Sequence, residues 1–481
     1  MKGQTFIFYM CLLAKQERNE IYIKMIEENY ILDYEQVLSK LEELTKKPNI
    51  TKENDIGKTK YGLPISCYSI GEGDKAIVVT GATHGSEIIT TDFILKLMEN
   101  LADSKEKFNF KIYFIPMLNP EGYLITSSAI RTKLPRKANI EAQEKFAKEY
   151  YLAYKDDDLE AIEKIQNGEE TDRLHKKRHQ QIFDDIDTSC IPNKYQEIRN
   201  AVSKIFKKYP DLPKGSLVTW SANADGIDLQ ANSRYNPSIE KIKNGEKIYK
   251  DNLRHSNINI SHPGPINCPY DLEKGFEYTK EIEAINKFLD KLNKEHKLQA
   301  FYNFHSTGGV IYQRPIKSDE NEKDIKEKTI ENYFLSKIYS GIPEEDYPAY
   351  KIEKNEGKRT STNDSFRMMY PIDLLIELSK MGGNPLGPYG DNNGNYKKTI
   401  ESNIKAFTSS MKVFEIAQML SSEMKDTFAK LSDEKISNDK SNIKNNTEKE
   451  IKDTYDVIDM IYDEFNRKIK LLEENKNEKC R

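Results

Sequence analysis

The sequence predicts an α/β fold built on parallel strands. Two continuous apolar runs, residues 76–80 and 110–116, read as strands buried on both faces of a sheet. Between them Ile88, Ile89, Phe93, Ile94, Leu97 and Leu101 recur at helical spacing. Strand, helix, strand at this separation is a parallel crossover unit. With 481 residues, 37% hydrophobic and 32% charged, the chain is too apolar for disorder and allows about three domains or one enlarged α/β domain.

In chain order, Lys2 and the apolar run 5–13 have the outline of a secretory signal, but no small-residue cleavage pattern follows, and Met25 offers a second start. Residues 1–29 are therefore read as an extension, with a cytoplasmic protein expected and a secreted one the alternative. Asp33 and Gln36 form a capping-box pattern ahead of Val37, Leu38, Leu41 and Leu44, and Pro48 closes that helix. Residues 65–70 read as a strand, and Gly71 with Gly73 as a turn. From about 126 to 215 the chain is dense in Lys, Glu, Asp and Gln, with helical stretches at 140–154 and 195–209. This reads as a helical insertion over the surface of a domain spanning 30–425. Strand patterns resume at 300–304, 310–312 and 372–378. In the tail, 426–481, a polar linker at about 430–448 precedes an amphipathic helix marked by Ile458, Ile461, Phe465, Ile469 and Leu472.

Several functions are excluded. Lys+Arg 74 against Asp+Glu 78 leaves a net charge of −4, so no basic field points to nucleic acid or an anionic membrane. No apolar run approaches 18 residues, so no spanning helix is expected. Five scattered cysteines without a Cys-x-x-Cys pair argue against both a disulfide framework and a cysteine zinc site.

The chemistry concentrates at strand ends. His84 follows the strand at 76–80 and stands three residues before Glu87, a spacing that lets both face one point from a first helical turn. His305 ends the strand at 300–304 and is followed by Gly308 and Gly309. In open α/β sheets the crevice at the carboxyl ends of strands binds ligands. Two His and one Glu from two such ends make a three-ligand zinc site with a fourth position open to water. The competing reading is that each His simply hydrogen-bonds a neighbouring backbone group. His175 and His179 lie among Lys176, Lys177 and Arg178 and read as a solvated helix face. Glu377, an acid within the apolar strand 372–378, is placed to act as general base; otherwise it lies on an edge strand facing water.

Five ordered segments resemble the zinc carboxypeptidase family. They are Thr-His-Gly-Ser-Glu (83–87), Asn-Pro-Glu-Gly-Tyr (119–123), Asp-Leu-Gln-Ala-Asn (228–232), Asn-Phe-His-Ser (303–306) and Leu-Ile-Glu-Leu (375–378). The segment Trp-Ser-Ala-Asn-Ala-Asp-Gly (220–226) is similar to the bacterial γ-D-glutamyl-diamino acid peptidases, which cut peptidoglycan stem peptides. The resemblance implies a mixed, roughly eight-stranded sheet flanked by helices. It implies one zinc ion on His84, Glu87 and His305, with Glu377 as base and proton shuttle. It also implies a substrate-capping tyrosine, with Tyr350 the first candidate and Tyr347 the second, and a substrate-binding role for Asn232.

The sequence departs from that pattern where a terminal carboxylate would be read. Gln230 and Ala231 stand where the family carries Asn and Arg, and Ser221 where it carries a second Arg. Losing a bidentate guanidinium removes the natural anchor for a carboxylate. Arg234, or else Arg359 or Arg367, is the expected substitute. The sequence therefore points to a zinc peptidase acting on a small peptide, with a stem peptide as one substrate. The alternatives are a zinc deacylase of N-acyl amino acids and a catalytically silent peptide-binding scaffold.

Overall fold

The computed structural model describes residues 31–104, 110–135, 185–208, 214–230, 278–306, 308–312, 350–353, 373–378 and 395–419, with short pieces within 141–146, at 183, 210 and 232, and within 270–276 and 335–340. The N-terminal extension, His175, His179, Arg234, Tyr347, Arg359, Arg367, the tail 426–481 and most of 140–154 lie outside the described residues.

Helix α1 (Tyr34–Leu44) begins where the capping pattern places it. Gln36 N–H donates to Asp33 Oδ1 and Asp33 N–H to Gln36 Oε1, both at 3.0 Å, and Val37, Leu41 and Leu44 are buried. Next come β1 (Ile50–Lys52), β2 (Gly57–Lys58), β3 (Pro64–Ile65) and β4 (Tyr68–Ile70). The single strand expected over 65–70 is thus two pieces. Ile65 closes a small β2–β3 hairpin, and only from Tyr68 does the chain pair antiparallel with β1 and with β6 (Phe110–Ile115). Strand β5 (Lys75–Thr80) and helix α2 (Ile88–Asp103) complete the crossover to β6.

Helix α3 (Pro120–Lys133) follows β6, with Asn119 as its cap and Pro120 in the first turn. It is buried through Ile130, so the region from 126 begins inside the core and not in a surface insertion. Helix α4 (Gln196–Lys208) likewise turns Ile198, Ala201, Val202 and Ile205 into the main core. After a short hairpin, β7 (Tyr270–Asp271) with β8 (Gly275–Phe276), helix α5 (Lys280–Lys294) leads into β9 (Leu298–Ser306). Then come β10 (Val310–Tyr312), β11 (Lys351–Glu353), β12 (Asp373–Leu378) and α6 (Asn395–Met419).

Eight strands form one mixed sheet in the order β1-β4-β6-β5-β9-β12-β10-β11. The four central strands β6, β5, β9 and β12 are mutually parallel, with antiparallel strands joined on either side. The chain leaves β5 to one neighbour through α2 and reaches the other, β9, much later. The boundary between β5 and β9 is therefore the switch point at which α/β sheets bind ligands. One face carries the larger core, where Ala300, Tyr302, Phe304, Leu374, Ile376 and Leu378 meet residues of α2 and α6. The other face packs Ala76, Val78 and Phe301 against Ile282, Ile285 and Leu289 of α5. Among the described residues no helix is long and apolar enough to cross a membrane.

Candidate metal centre

The carboxyl ends of β5 and β9 bring three metal-binding groups together. Donor atoms of His84, Glu87 and His305 all lie within 4.8 Å of one another, and all three residues are buried. His84 sits in the loop after β5, and Glu87 is the residue immediately before α2. The pair therefore faces one point from a tight loop, not from the helical turn expected. That loop is held on several sides. Ala82, in the left-handed region at φ 46°, receives Asn119 N–H on its carbonyl and donates its own N–H to Thr90 Oγ1. A non-glycine residue held there is strained, as functional loops often are. Thr80 and Thr83 hydroxyls both donate to Asn303 Oδ1 at 3.0 Å, tying the loop to β9 two residues before His305.

Gly85 makes this loop possible for a reason the sequence does not show. A Cβ at Gly85 would lie 2.1 Å from the Gly122 carbonyl carbon, and one at Gly122 would lie 2.5 Å from the Ala222 carbonyl oxygen. Two glycines thus allow three backbones to touch, with Gly85 N–H donating to Ser221 O at 3.1 Å. Ser221, at the position of an expected family Arg, is buried with its hydroxyl 2.7 Å from that of Ser86.

The donor set fits a metal ion. Nδ1 of His84 and Nδ1 of His305 face each other at 3.3 Å, with Glu87 Oε1 2.7 Å from the first and Oε2 3.1 Å from the second. Two ligands about 2.0–2.1 Å from a tetrahedral zinc are separated by about 3.3 Å, the spacing these nitrogens already have. Burial pulls the His84 imidazole down, but the Glu87 and Asp228 carboxylates outweigh it and raise it to about 10. Burial would raise Glu87, yet the two imidazoles hold it down at about 2. His305 is lowered by its burial. An anionic carboxylate and two imidazoles packed this tightly form a cation receptor.

Asp228 belongs to this centre and was not singled out from the sequence. Fully buried, it holds Oδ1 3.3 Å from His84 Nε2 and accepts Gln230 N–H on the same oxygen at 2.8 Å. A carboxylate on the outer nitrogen fixes which nitrogen of a ligating imidazole is free to bind. Its signal in the sequence is its place at the head of the Asp-Leu-Gln-Ala-Asn segment.

Glu377 lies on β12, which has neighbours on both sides and is not an edge strand. It pairs in parallel register with His305, so both side chains leave the sheet on the same face about 5 Å apart at the backbone. Glu377 is half-buried, and a Cβ on Gly308 would come 3.3 Å from its own Cβ. Tyr350 is not brought to this place. Register carries it, two residues before Ile352, onto the opposite face of the sheet with Ile311 and Ile376. There it is buried in the large core, its hydroxyl donating to Asn403 Oδ1 at 3.1 Å and its ring 6.2 Å from that of Tyr339. Asn232 is fully buried, with Oδ1 accepting Thr279 N–H at the start of α5, 2.7 Å away.

Residues 35–367 match the sequence model of the family described as zinc carboxypeptidase. No curated protein matches the chain. Similar solved structures include bovine thrombin-activatable fibrinolysis inhibitor in complex with a tick carboxypeptidase inhibitor, at 12% identity over 81% of this chain and 98% of that one, with a TM-score of 0.46. Carboxypeptidase A from Helicoverpa armigera aligns at 12% identity over 85% of this chain and 81% of its own, with a TM-score of 0.47. A metallo-carboxypeptidase from Burkholderia cenocepacia aligns at 10% identity over 79% and 69%, with a TM-score of 0.38.

Proposed function

We propose that this chain, which belongs to the zinc carboxypeptidase family over most of its length, hydrolyses an amide bond in a small peptide at His84, Glu87, His305 and Glu377. The observation that carries this reading is the convergence of three ligand side chains within 4.8 Å, on the face of the sheet that also bears Glu377. One zinc ion held there would polarise the scissile carbonyl and acidify the attacking water. His84 and His305 each offer an imidazole nitrogen and Glu87 a carboxylate oxygen. Asp228 accepts from the outer nitrogen of His84 and keeps the inner one unprotonated. Glu377 takes a proton from the attacking water and returns it to the departing amine.

The substrate we favour is a γ-glutamyl amide of a peptidoglycan stem peptide, met in the cytoplasm. Support comes from the Trp220–Gly226 resemblance and from the uncharged Ser221, Gln230 and Ala231 where a guanidinium would read an ordinary C-terminus. A carboxylate-rich stem peptide still calls for a cation, and Arg234 is our candidate.

The test is metal analysis of the purified protein with mass-spectrometric assay of γ-glutamyl peptides, ordinary C-terminal peptides and N-acyl amino acids. We expect about one zinc per chain and turnover of the γ-linked peptides. Glu377→Gln is expected to keep its zinc and lose about 10²- to 10⁴-fold in rate. Full turnover by that variant overturns its role as base. Turnover of N-acyl amino acids alone moves the assignment to a deacylase.

A further inference from the structure

Two carboxylic acids are buried together outside the metal centre. Glu121 lies in the first turn of α3 and Glu281 in the first turn of α5, and neither exposes any surface. Glu121 is well supplied with donors: Tyr61 N–H reaches Oε1 at 3.2 Å, Ala224 N–H reaches Oε2 at 3.1 Å, and the Thr59 hydroxyl lies alongside. Glu281 is the reverse. Thr279 and Asn223 approach it, but neither carboxyl oxygen has a well-formed hydrogen bond.

Helix packing explains why they meet. Helix α5 lies against the β2–β3 hairpin so closely that a Cβ on Gly57 would be 2.6 Å from Ala284 Cβ. Glu281, one turn before Ala284 on the same helix face, is thereby aimed at the hairpin that supplies Thr59 and Tyr61 to Glu121. The surrounding charges come from each packed element and are committed elsewhere. From the hairpin, Lys60 pairs with Asp225 at 2.8 Å, and the Tyr61 hydroxyl donates to Asp225 at 2.6 Å. On α5, Lys280 pairs with Glu283 at 3.0 Å on the surface. Tyr34 of α1 stays neutral, its hydroxyl pushed up by burial and nearby acids. Two buried carboxylates beside each other cannot both be ionised without a large desolvation cost.

We propose that Glu121 and Glu281 share one proton, carried on Glu281 with Glu121 ionised, and that this neutralised pair clips α5 and the hairpin to the segment bearing Asp228. Burial and the neighbouring Glu121 charge push Glu281 up to about 8; burial raises Glu121 as well, but there the hydrogen bonds from Thr59, Ala224 and Tyr61 oppose it, which places the proton on Glu281. The route to the metal centre is short. Glu121 holds Ala224, four residues before Asp228, and Asn232, four residues after it, holds Thr279 at the cap of α5. Asp228 in turn faces His84. Glu281 is thus a positioning residue. Its effect on stability does not depend on the hydrolase reading, and only its effect on zinc draws on it.

The direction with pH follows from the raised carboxyl. Folded Glu281 keeps a proton that the unfolded chain releases near the ordinary value of 4.5. Its contribution to stability is complete below that value, declines as pH rises and is lost above about 8. Full-length, zinc-saturated protein is melted between pH 5 and 9 alongside Glu281→Gln, whose amide is neutral at every pH. We expect the two to coincide near pH 5 and the variant to melt increasingly above wild type as pH rises. A difference that does not change with pH, or a variant less stable at pH 9, overturns the shared proton. Should the variant fail to fold, infrared difference spectra of wild type between pH 6 and 9 decide the same point. A protonated-carboxyl band that disappears over that range supports the proposal, and its absence at pH 6 sinks it. Zinc competition against a chromophoric chelator reads the link to Asp228. Wild type is expected to lose affinity relative to the variant from pH 7 to 9, by at most about 10- to 100-fold. An unchanged ratio removes the positioning role while leaving the proton pair.

Discussion

Replacing Asp228 by Asn isolates one charge in the metal centre. The amide keeps an acceptor oxygen where Asp228 Oδ1 now takes Gln230 N–H at 2.8 Å and lies 3.3 Å from His84 Nε2. The local turn is therefore preserved and only the carboxylate's charge is lost. That charge is one of the two that raise His84 against its burial, so the imidazole becomes a poorer electron donor in the variant. Losing such an outer-shell partner weakens metal binding about 10- to 100-fold, or about 1.4–2.7 kcal/mol. The metal-free fold should lose no more than about 3 kcal/mol, since the hydrogen bond to Gln230 survives and only the charged contact with His84 is weakened. Competition with a chromophoric zinc chelator measures the first quantity, and thermal melting with a chelator present measures the second. Unchanged zinc affinity in a folded variant would refute the assigned role. Collapse of the metal-free fold would refute it differently, by showing that Asp228 serves the 219–232 segment and not the imidazole.

Three further substitutions probe the scaffold around this centre. Gly85→Ala places a Cβ against the Gly122 backbone at 2.1 Å, an overpacking that costs at least about 1–3 kcal/mol; a large fall in melting temperature is expected, and an unshifted melt contradicts the close contact. Ala82→Gly removes the steric penalty at φ 46° and should raise stability by up to about 1 kcal/mol, read by denaturant unfolding. Tyr350→Phe deletes the hydroxyl bonded to Asn403 and should cost about 1 kcal/mol of stability with kcat unchanged. A drop in kcat without loss of stability would return Tyr350 to the substrate.

What the sequence made legible is what local chemistry determines. The capping box at Asp33, the apolar runs that became β5, β6, β9 and β12, and the His-x-x-Glu spacing each depend on neighbours a few residues away. The readings that failed needed information from across the chain. Residues 65–70, Ile-Ser-Cys-Tyr-Ser-Ile, look like one strand because no Gly or Pro interrupts them, yet Ile65 bonds within a hairpin while Tyr68 joins the main sheet. Asp228 meets His84 from 144 positions away, and no spacing rule reaches that far. Glu281 looks like an ordinary acidic residue in a helix's first turn, where it favours the helix dipole. Only the packing of Ala284 on Gly57 shows that it is buried.

Tyr350 shows most clearly why a catalytic side chain in a sheet is a question of parity. Along β9, Ala300, Tyr302 and Phe304 enter the large core, while Phe301, Asn303 and His305 leave on the other side. Along β12 the partners alternate in step, with Leu374, Ile376 and Leu378 inward and Glu377 beside His305. A slip of one residue would put the imidazole and carboxylate into the apolar core and turn Tyr302 and Phe304 toward the metal. The cost of burying Glu377 and His305 among aliphatic side chains forbids that register. The packing of Phe304 on Phe93, with ring centroids 4.7 Å apart, favours the observed one. The residues that stabilise the fold and those that serve the chemistry therefore enforce the same alignment from opposite faces. Tyr350 follows that rule onto the stabilising face, away from the side that carries Asn303, His305 and Glu377.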